Sequence, residues 1–187
     1  MLGIRKYHKV AIDLYLGDIT TFACDVMVNA ANSALMGGGG VDGAIHRAGG
    51  PSIMEETRQK YPAGCPTGNS VVSSAGALPA QWLVHAVGPI WRGGGEREAE
   101  QLAAAYHSCL LHAEALGARH IAFPSISTGA YRFPLEEASK IAMNTVKMFI
   151  ESRKTEHVGR ITFVLFNHEH YTVFQRALFA TFIEEES

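Results

Sequence analysis

Four consecutive glycines, Gly37 to Gly40, constrain this chain more than any other feature. They follow a short apolar run, Asp25-Val-Met-Val-Asn-Ala30, and precede a segment that sets Val41, Ile45 and Ala48 on one helical face. The run reads as a buried strand whose end faces a site, and the glycines as its crossing into a helix. Residues without side chains let backbone N–H groups converge on one ligand, and a helix N-terminus adds about half a positive charge. A phosphate fits such a cradle. A merely flexible connector is the alternative.

The remaining segments alternate in the same way. Val10, Ile12, Leu14 and Leu16 share one face of a first strand, which Gly17-Asp18 ends. The helix from Val41 to about Lys60 must break at Gly49-Gly50-Pro51 and restart with Ser52 as its N-cap. Asn69–Ser74 and Trp82–Val87 read as strands joined by a turn-rich segment, hence a hairpin-like pair. A helix through Leu102, Tyr106, Cys109, Leu110, Ala113 and Leu116 stops at Gly117 and leads into a strand, Ile121–Phe123. Pro134 is expected at the first position of the next helix, followed by the strand Arg160–Phe166. A last helix carries Tyr171, Phe174, Leu178 and Phe182, with Glu184–Glu186 fraying its end.

Six strands interleaved with helices predict an α/β fold: a three-layer α/β/α sandwich around a mixed, mainly parallel sheet. A length of 187 residues with no repeat or linker suits a single domain, 1–187. In such folds ligands bind at the carboxyl ends of the strands.

A second polar loop, Pro124-Ser-Ile-Ser-Thr-Gly-Ala-Tyr-Arg-Phe-Pro134, follows the strand at Ile121 and contains hydroxyls and a glycine but no acid. Capping serines in a turn would account for it equally well in isolation. Two such loops, each after a strand, point to a diphosphate held between them. Gly38-Gly-Gly-Val-Asp-Gly43 also matches G-x-G-x-x-G formally. A dinucleotide fold is nevertheless not expected, because Ala31–Gly37 separate the strand from the first glycine of the match and Asp42 would oppose the phosphates. No lysine follows the glycines, which removes the P-loop.

Net charge is −2, so no general attraction to nucleic acid or anionic membrane is built in, and nucleic acid is not the expected partner. The three cysteines lack C-x-x-C spacing, so neither a disulfide framework nor a structural zinc is expected, and the reducing cytoplasm is the expected compartment. The N-terminus lacks a signal-like apolar region and no run of about 18 apolar residues occurs, which predicts neither export nor membrane insertion. His168-Glu-His170 is the one tight ligand-like cluster, but i, i+2 side chains at a helix start diverge, so no metal is expected. His46 lacks a nucleophile at useful spacing and reads as a polar core or capping residue.

Gly17-Asp-Ile-Thr20, Val28-Asn-Ala-Ala-Asn32, Gly37-Gly-Gly-Gly-Val-Asp-Gly-Ala-Ile-His46 and Ser125-Ile-Ser-Thr-Gly-Ala-Tyr131 together resemble the ordered motifs of the macrodomain family, specifically its MacroD-type ADP-ribosyl hydrolase branch. The resemblance spans about Val10 to Phe182. It implies ADP-ribose and its esters as ligands, ADP-ribosylated proteins as partners, and no cofactor. Asp18 would accept from the adenine amine and Ile19 would offer its backbone to the ring. Phe166 would stack on adenine, with a core phenylalanine as the rival reading, and Asn167 would lie near the proximal ribose. Gly39, Gly40 and Val41 on one side, with Ser127, Thr128, Gly129 and Ala130 on the other, would bracket the diphosphate. Tyr131 would cover the distal ribose and Asn32 would bind its hydroxyls, while Asn29, at a strand end, is expected to tie down the loop.

Asp42 is the expected catalytic residue, together with Asn32. An acid near a helix start is ordinarily a cap. Under the resemblance it instead orients and partly deprotonates a water near the anomeric carbon of the distal ribose. The implied activity is metal-independent: removal of ADP-ribose from acidic side chains, or deacetylation of O-acetyl-ADP-ribose. The alternative is a non-catalytic ADP-ribose reader, which needs no carboxylate at position 42.

Overall fold

The computed structural model describes residues 3–152 and 155–183. Seven strands form one mixed sheet. They are β1 (Ile4–Tyr7), β2 (Val10–Leu16), β3 (Val26–Ala30), β4 (Ser70–Ser74), β5 (Trp82–Ala86), β6 (His120–Phe123) and β7 (Arg160–Leu165). The order across the sheet is β1-β2-β7-β6-β3-β5-β4. The five inner strands run parallel, and the edge strands β1 and β4 are antiparallel to β2 and β5. Five helices accompany them: α1 (Gly40–Gly49), α2 (Ser52–Lys60), α3 (Glu98–Ala115), α4 (Leu135–Glu151) and α5 (His168–Thr181).

Helices cover both faces, which is why the inner strands are mostly apolar, with Asp13, Asn29, His85 and Thr162 as their buried polar exceptions. On one face Val28, Ile121, Phe123, Ile161 and Phe163 meet Tyr106, Leu110, Met143, Val146 and Phe174 of α3, α4 and α5. On the other, Met27, Leu83, Ala122 and Val164 meet Ile45 and Ile53 of α1 and α2. The α/β/α layers follow as expected.

The expected six strands become seven because Ile4–Tyr7 adds β1, pairing Ile4 with Asp13 and Tyr7 with Val10. Its residues are only alternately half-buried, so no apolar face marks it. The helix beginning at Val41 does break at Gly50, where φ is +89°. Ser52, however, is not the cap of α2. Pro51 holds that position in helical conformation, which draws Ser52 into the first turn. Pro134 likewise sits one place earlier than expected, because its extended ψ of 124° makes it the cap and Leu135 the first helical residue. Glu184–Glu186 lie outside the described residues.

Parallel pairing brings the carboxyl ends of β2, β7, β6, β3 and β5 to one edge. Gly17 N–H donates to the Leu165 carbonyl and Ala31 N–H to that of Ala86, so the chain segments leaving neighbouring strands are tied together there.

Candidate active site

Between the loops that leave β3 and β6 lies a cavity of about 240 Å³. One wall is Asn32, Gly38, Gly39, Gly40, Val41 and Asp42, and the other is Ser125, Ile126, Ser127, Gly129, Ala130 and Tyr131, with Ala30, Ala31 and Gly88 completing it. No lysine or arginine lines it. Any anion bound here is therefore held by neutral donors, the backbone N–H groups and side-chain hydroxyls and amide of the walls, and by the α1 N-terminus.

Two close approaches shape the walls. A Cβ on Gly43 would lie 2.6 Å from the Gly38 carbonyl oxygen, so only glycine lets α1 pack against its own leading loop. A Cβ on Gly88 would collide with Ser127 Oγ and Ile126 Cγ2, so the chain leaving β5 must be bare where it meets the second loop. Ser127 holds a left-handed φ of +65°, and its buried Oγ has no hydrogen-bond partner among the described residues.

Asp42 stands at the third position of α1 and is buried. It is not the cap, since Gly39 occupies that place with no side-chain bond. Asn29 Nδ2 donates to Asp42 Oδ1 at 2.7 Å, and His46 Nε2, one turn along the helix, lies 3.3 Å from the same oxygen. The other oxygen, Oδ2, faces Gly38 at the cavity wall. Partial positive charge at the helix N-terminus also favours a carboxylate there.

Below Asp42 the sheet supplies a further chain of donors. Asn29 and His85 are register partners on β3 and β5, and Asn29 Nδ2 lies 3.1 Å from His85 Nδ1. His85 Nε2 in turn lies 2.8 Å from Ser73 Oγ, which donates to the Ser74 carbonyl at 2.9 Å. Burial, reinforced by His46, pushes the His85 pKa down to about 4, so the ring is neutral at neutral pH.

Asn32, Gly39, Gly40, Val41, Asp42, Ser127, Gly129, Ala130 and Tyr131 meet at the cavity. Tyr131 carries a raised pKa, from burial first and the Asp42 charge second. Asn29 departs from expectation: it is fully buried under α1, bonded to Asp42, and ties no loop. Its place on β3 turns it toward the helix and away from the connection. Asn32 takes the loop-holding part, donating to the Gly37 carbonyl at 2.9 Å and accepting from Met36 N–H at 3.3 Å. Thr128 does not line the cavity, and its hydroxyl bonds Ser125 Oγ within its own loop at 2.6 Å.

Asp18, Ile19, Phe166 and Asn167 lie at the ends of β2 and β7, beside the cavity-lining strand ends and not among its lining residues. Asp18 Oδ1 caps the 3₁₀ turn Ile19–Thr21 through Thr20 N–H and Oγ, while Ile19 itself is buried against the α1 side of the sheet. Phe166 is 80% exposed, which removes the core-phenylalanine reading: β7 ends at Leu165 and the next side chain points into solvent. Asn167 caps α5 by accepting from His170 N–H. Gly88 and His85 were missed by sequence reasoning. Val87-Gly88-Pro89 after a strand was the available signal for Gly88, whereas a lone histidine inside an apolar strand carried none.

Burial raises all three thiols, with Cys24 and Cys109 reaching about 12, so none is a ready thiolate. Among the described residues no group of three or more His, Cys, Asp or Glu could hold a metal ion, and no helix is long and apolar enough to cross a membrane.

Comparison with known proteins places the chain in a family. The Macro domain family model matches residues 28–142, which include both cavity loops. The chain is 48% identical over 168 residues to the O-acetyl-ADP-ribose deacetylase of Klebsiella pneumoniae strain 342, covering 89% of this chain and 95% of that one. Among solved structures, the Oceanobacillus iheyensis macrodomain with ADP superposes with a TM-score of 0.87 at 37% identity, covering 94% of this chain and 93% of that chain. The Trypanosoma brucei macrodomain in complex with ADP-ribose gives 0.82 at 36% identity, covering 89% and 68%. This chain belongs to the macro domain family.

Proposed function

We propose that this protein is an ADP-ribose-binding enzyme that hydrolyses esters at the distal ribose, acting on O-acetyl-ADP-ribose, on ADP-ribose linked to acidic side chains, or on both. The carrying observation is Asp42. Its buried carboxylate stands in a cavity whose glycine loop and helix N-terminus are built for an anion. A negative charge there weakens diphosphate binding, so its use lies in the chemistry. The deacetylase relatives at 48% identity support the same reading.

The cavity volume accommodates only part of a molecule the size of ADP-ribose. In this reading it takes the diphosphate and distal ribose, while adenine lies outside between Asp18 and the exposed Phe166 ring. Backbone N–H groups of Gly39 to Val41 and of Ser127, Gly129 and Ala130 hold the phosphates. Asn32 keeps one amide hydrogen free beyond its bond to Gly37, and this hydrogen serves a ribose hydroxyl.

With Oδ1 engaged by Asn29, Asp42 Oδ2 orients a water at the distal ribose. As the water attacks, its proton passes to the carboxylate, the ester bond breaks, and the proton returns to the departing oxygen, so that ADP-ribose and a carboxylic acid leave with Asp42 ionised again. Holding the water in place accounts for much of the rate, so a weak base suffices. The partners in this reading are ADP-ribose esters and ADP-ribosylated proteins, met by one domain in the cytoplasm.

Calorimetry with ADP-ribose and AMP tests the binding half, because only ADP-ribose engages both loops and the distal pocket. Clearly tighter binding of ADP-ribose is expected, and equal affinity contradicts the two-loop site. Incubation with O-acetyl-ADP-ribose and with glutamate-linked ADP-ribosylated protein, chelator present, tests the chemistry. Release of ADP-ribose is expected from at least one, whereas tight binding without release would make the protein a reader.

A further inference from the structure

The hydrogen-bond chain under Asp42 has a direction. Ser73 Oγ gives its proton to the Ser74 carbonyl, so toward His85 it can only accept, and His85 Nε2 must carry the ring hydrogen. Nδ1 is then a bare acceptor. It receives one hydrogen of the Asn29 amide, and the other goes to Asp42 Oδ1. Burial keeps the ring neutral and so preserves this arrangement. With the hydrogen on Nδ1 instead, Asn29 would have to turn its oxygen toward the ring. That oxygen would then meet Asp42 Oδ1 at the 2.7 Å now spanned by a hydrogen bond, and two acceptors at that distance repel.

We infer that His85 is a positioning residue: with Ser73 it fixes the orientation of the Asn29 amide and thereby aims Asp42, from a strand whose side chain does not line the cavity. Asn29 makes no other side-chain bond, and its Oδ1 is unpartnered among the described residues, so the amide is held by these two contacts alone. The inference rests on Asp42 being the carboxylate that orients the attacking water. It assigns His85 no contact with substrate.

The test compares His85→Leu, His85→Asn and His85→Gln in O-acetyl-ADP-ribose hydrolysis, with thermal melts and ADP-ribose calorimetry on each. Asparagine Oδ1 falls near the position of Nδ1 and can accept from Asn29, whereas the glutamine amide reaches toward Nε2 and Ser73. Misplacing a catalytic group by about an ångström costs on the order of 10²-fold. His85→Leu should therefore lose roughly 10- to 100-fold in kcat, with KM and ADP-ribose affinity within about twofold of the parent. His85→Asn should regain most of that loss and His85→Gln should not. Should His85→Leu fail to fold, the contrast between asparagine and glutamine decides. Parental kcat in His85→Leu, or equal kcat in His85→Asn and His85→Gln, overturns the inference. Asp42→Ala in the same assay separates the two levels: its loss of activity beside an unaffected His85→Leu condemns the positioning role alone, and parental activity in Asp42→Ala condemns the proposed function.

Discussion

Asn29 at the end of β3 donates to Oδ1 of Asp42 on α1 at 2.7 Å, so the sheet shares the holding of the carboxylate with His46, one turn along its own helix. That bond engages one oxygen and leaves the other at the cavity wall. It also makes the aim of Asp42 depend on what lies beneath Asn29, a fully buried histidine on the neighbouring strand.

The buried histidine predicts a pH effect on stability. Burial holds His85 near 4 when folded, against 6.5 for a free histidine. Between these values the unfolded ring is protonated and the folded ring is not, so the unfolded state binds more protons and stability falls as pH falls. Above about 6.5 the contribution is constant. Across the window it amounts to roughly 3 kcal/mol, and His120 and His170, lowered chiefly by burial, act in the same sense. Urea titrations between about pH 7 and 4.5 should give a shallower slope for His85→Asn than for the parent. Equal slopes would mean that the ring already titrates freely in the folded protein.

Gly43→Ala should disable binding without unfolding the chain. Alanine favours the helix by about 1 kcal/mol, but its Cβ would meet the Gly38 carbonyl and push the glycine loop off α1. Calorimetry should show ADP-ribose affinity down at least tenfold, about 1.4 kcal/mol, while the melting temperature moves little. Retained affinity would mean the loop adapts.

In the proposed function Asp18 has two tasks, one of them toward adenine, that substitution can separate. Its Oδ1 caps the 3₁₀ turn, whereas its role toward adenine requires the reach of a carboxylate. Asp18→Ala should weaken ADP-ribose binding by about 1–3 kcal/mol and also lower stability. Asp18→Ser should restore the cap and the stability but not the affinity. Recovery of both would place adenine elsewhere.

Much of this architecture was legible in the chain because apolar runs mark strands buried on both faces and Gly50, Gly117 and Pro134 punctuate the helices. β1 was not, since a four-residue edge strand buries no continuous face. At the site, the glycine loop and Asp42 stand out because a carboxylate among glycines serves no packing purpose. The loop is held by Asn32 and not by Asn29, which lies buried beneath Asp42. Both are asparagines near a strand end, and only the pairing of β3 with β5 shows that Asn29 faces His85. Ser73 reaches His85 diagonally from the antiparallel edge strand, a relationship that no local spacing encodes.

In the proposed function Asp42 performs chemistry and does not bind, which one paired measurement addresses: ADP-ribose release from O-acetyl-ADP-ribose and from glutamate-linked ADP-ribosylated protein, beside ADP-ribose calorimetry, for the parent and Asp42→Ala. Removing the carboxylate takes away the group that orients the water and also a negative charge near the diphosphate. Hydrolysis should fall by about 10²–10⁴-fold with ADP-ribose affinity unchanged or tighter. Hydrolysis at the parental rate in Asp42→Ala would contradict the proposed function.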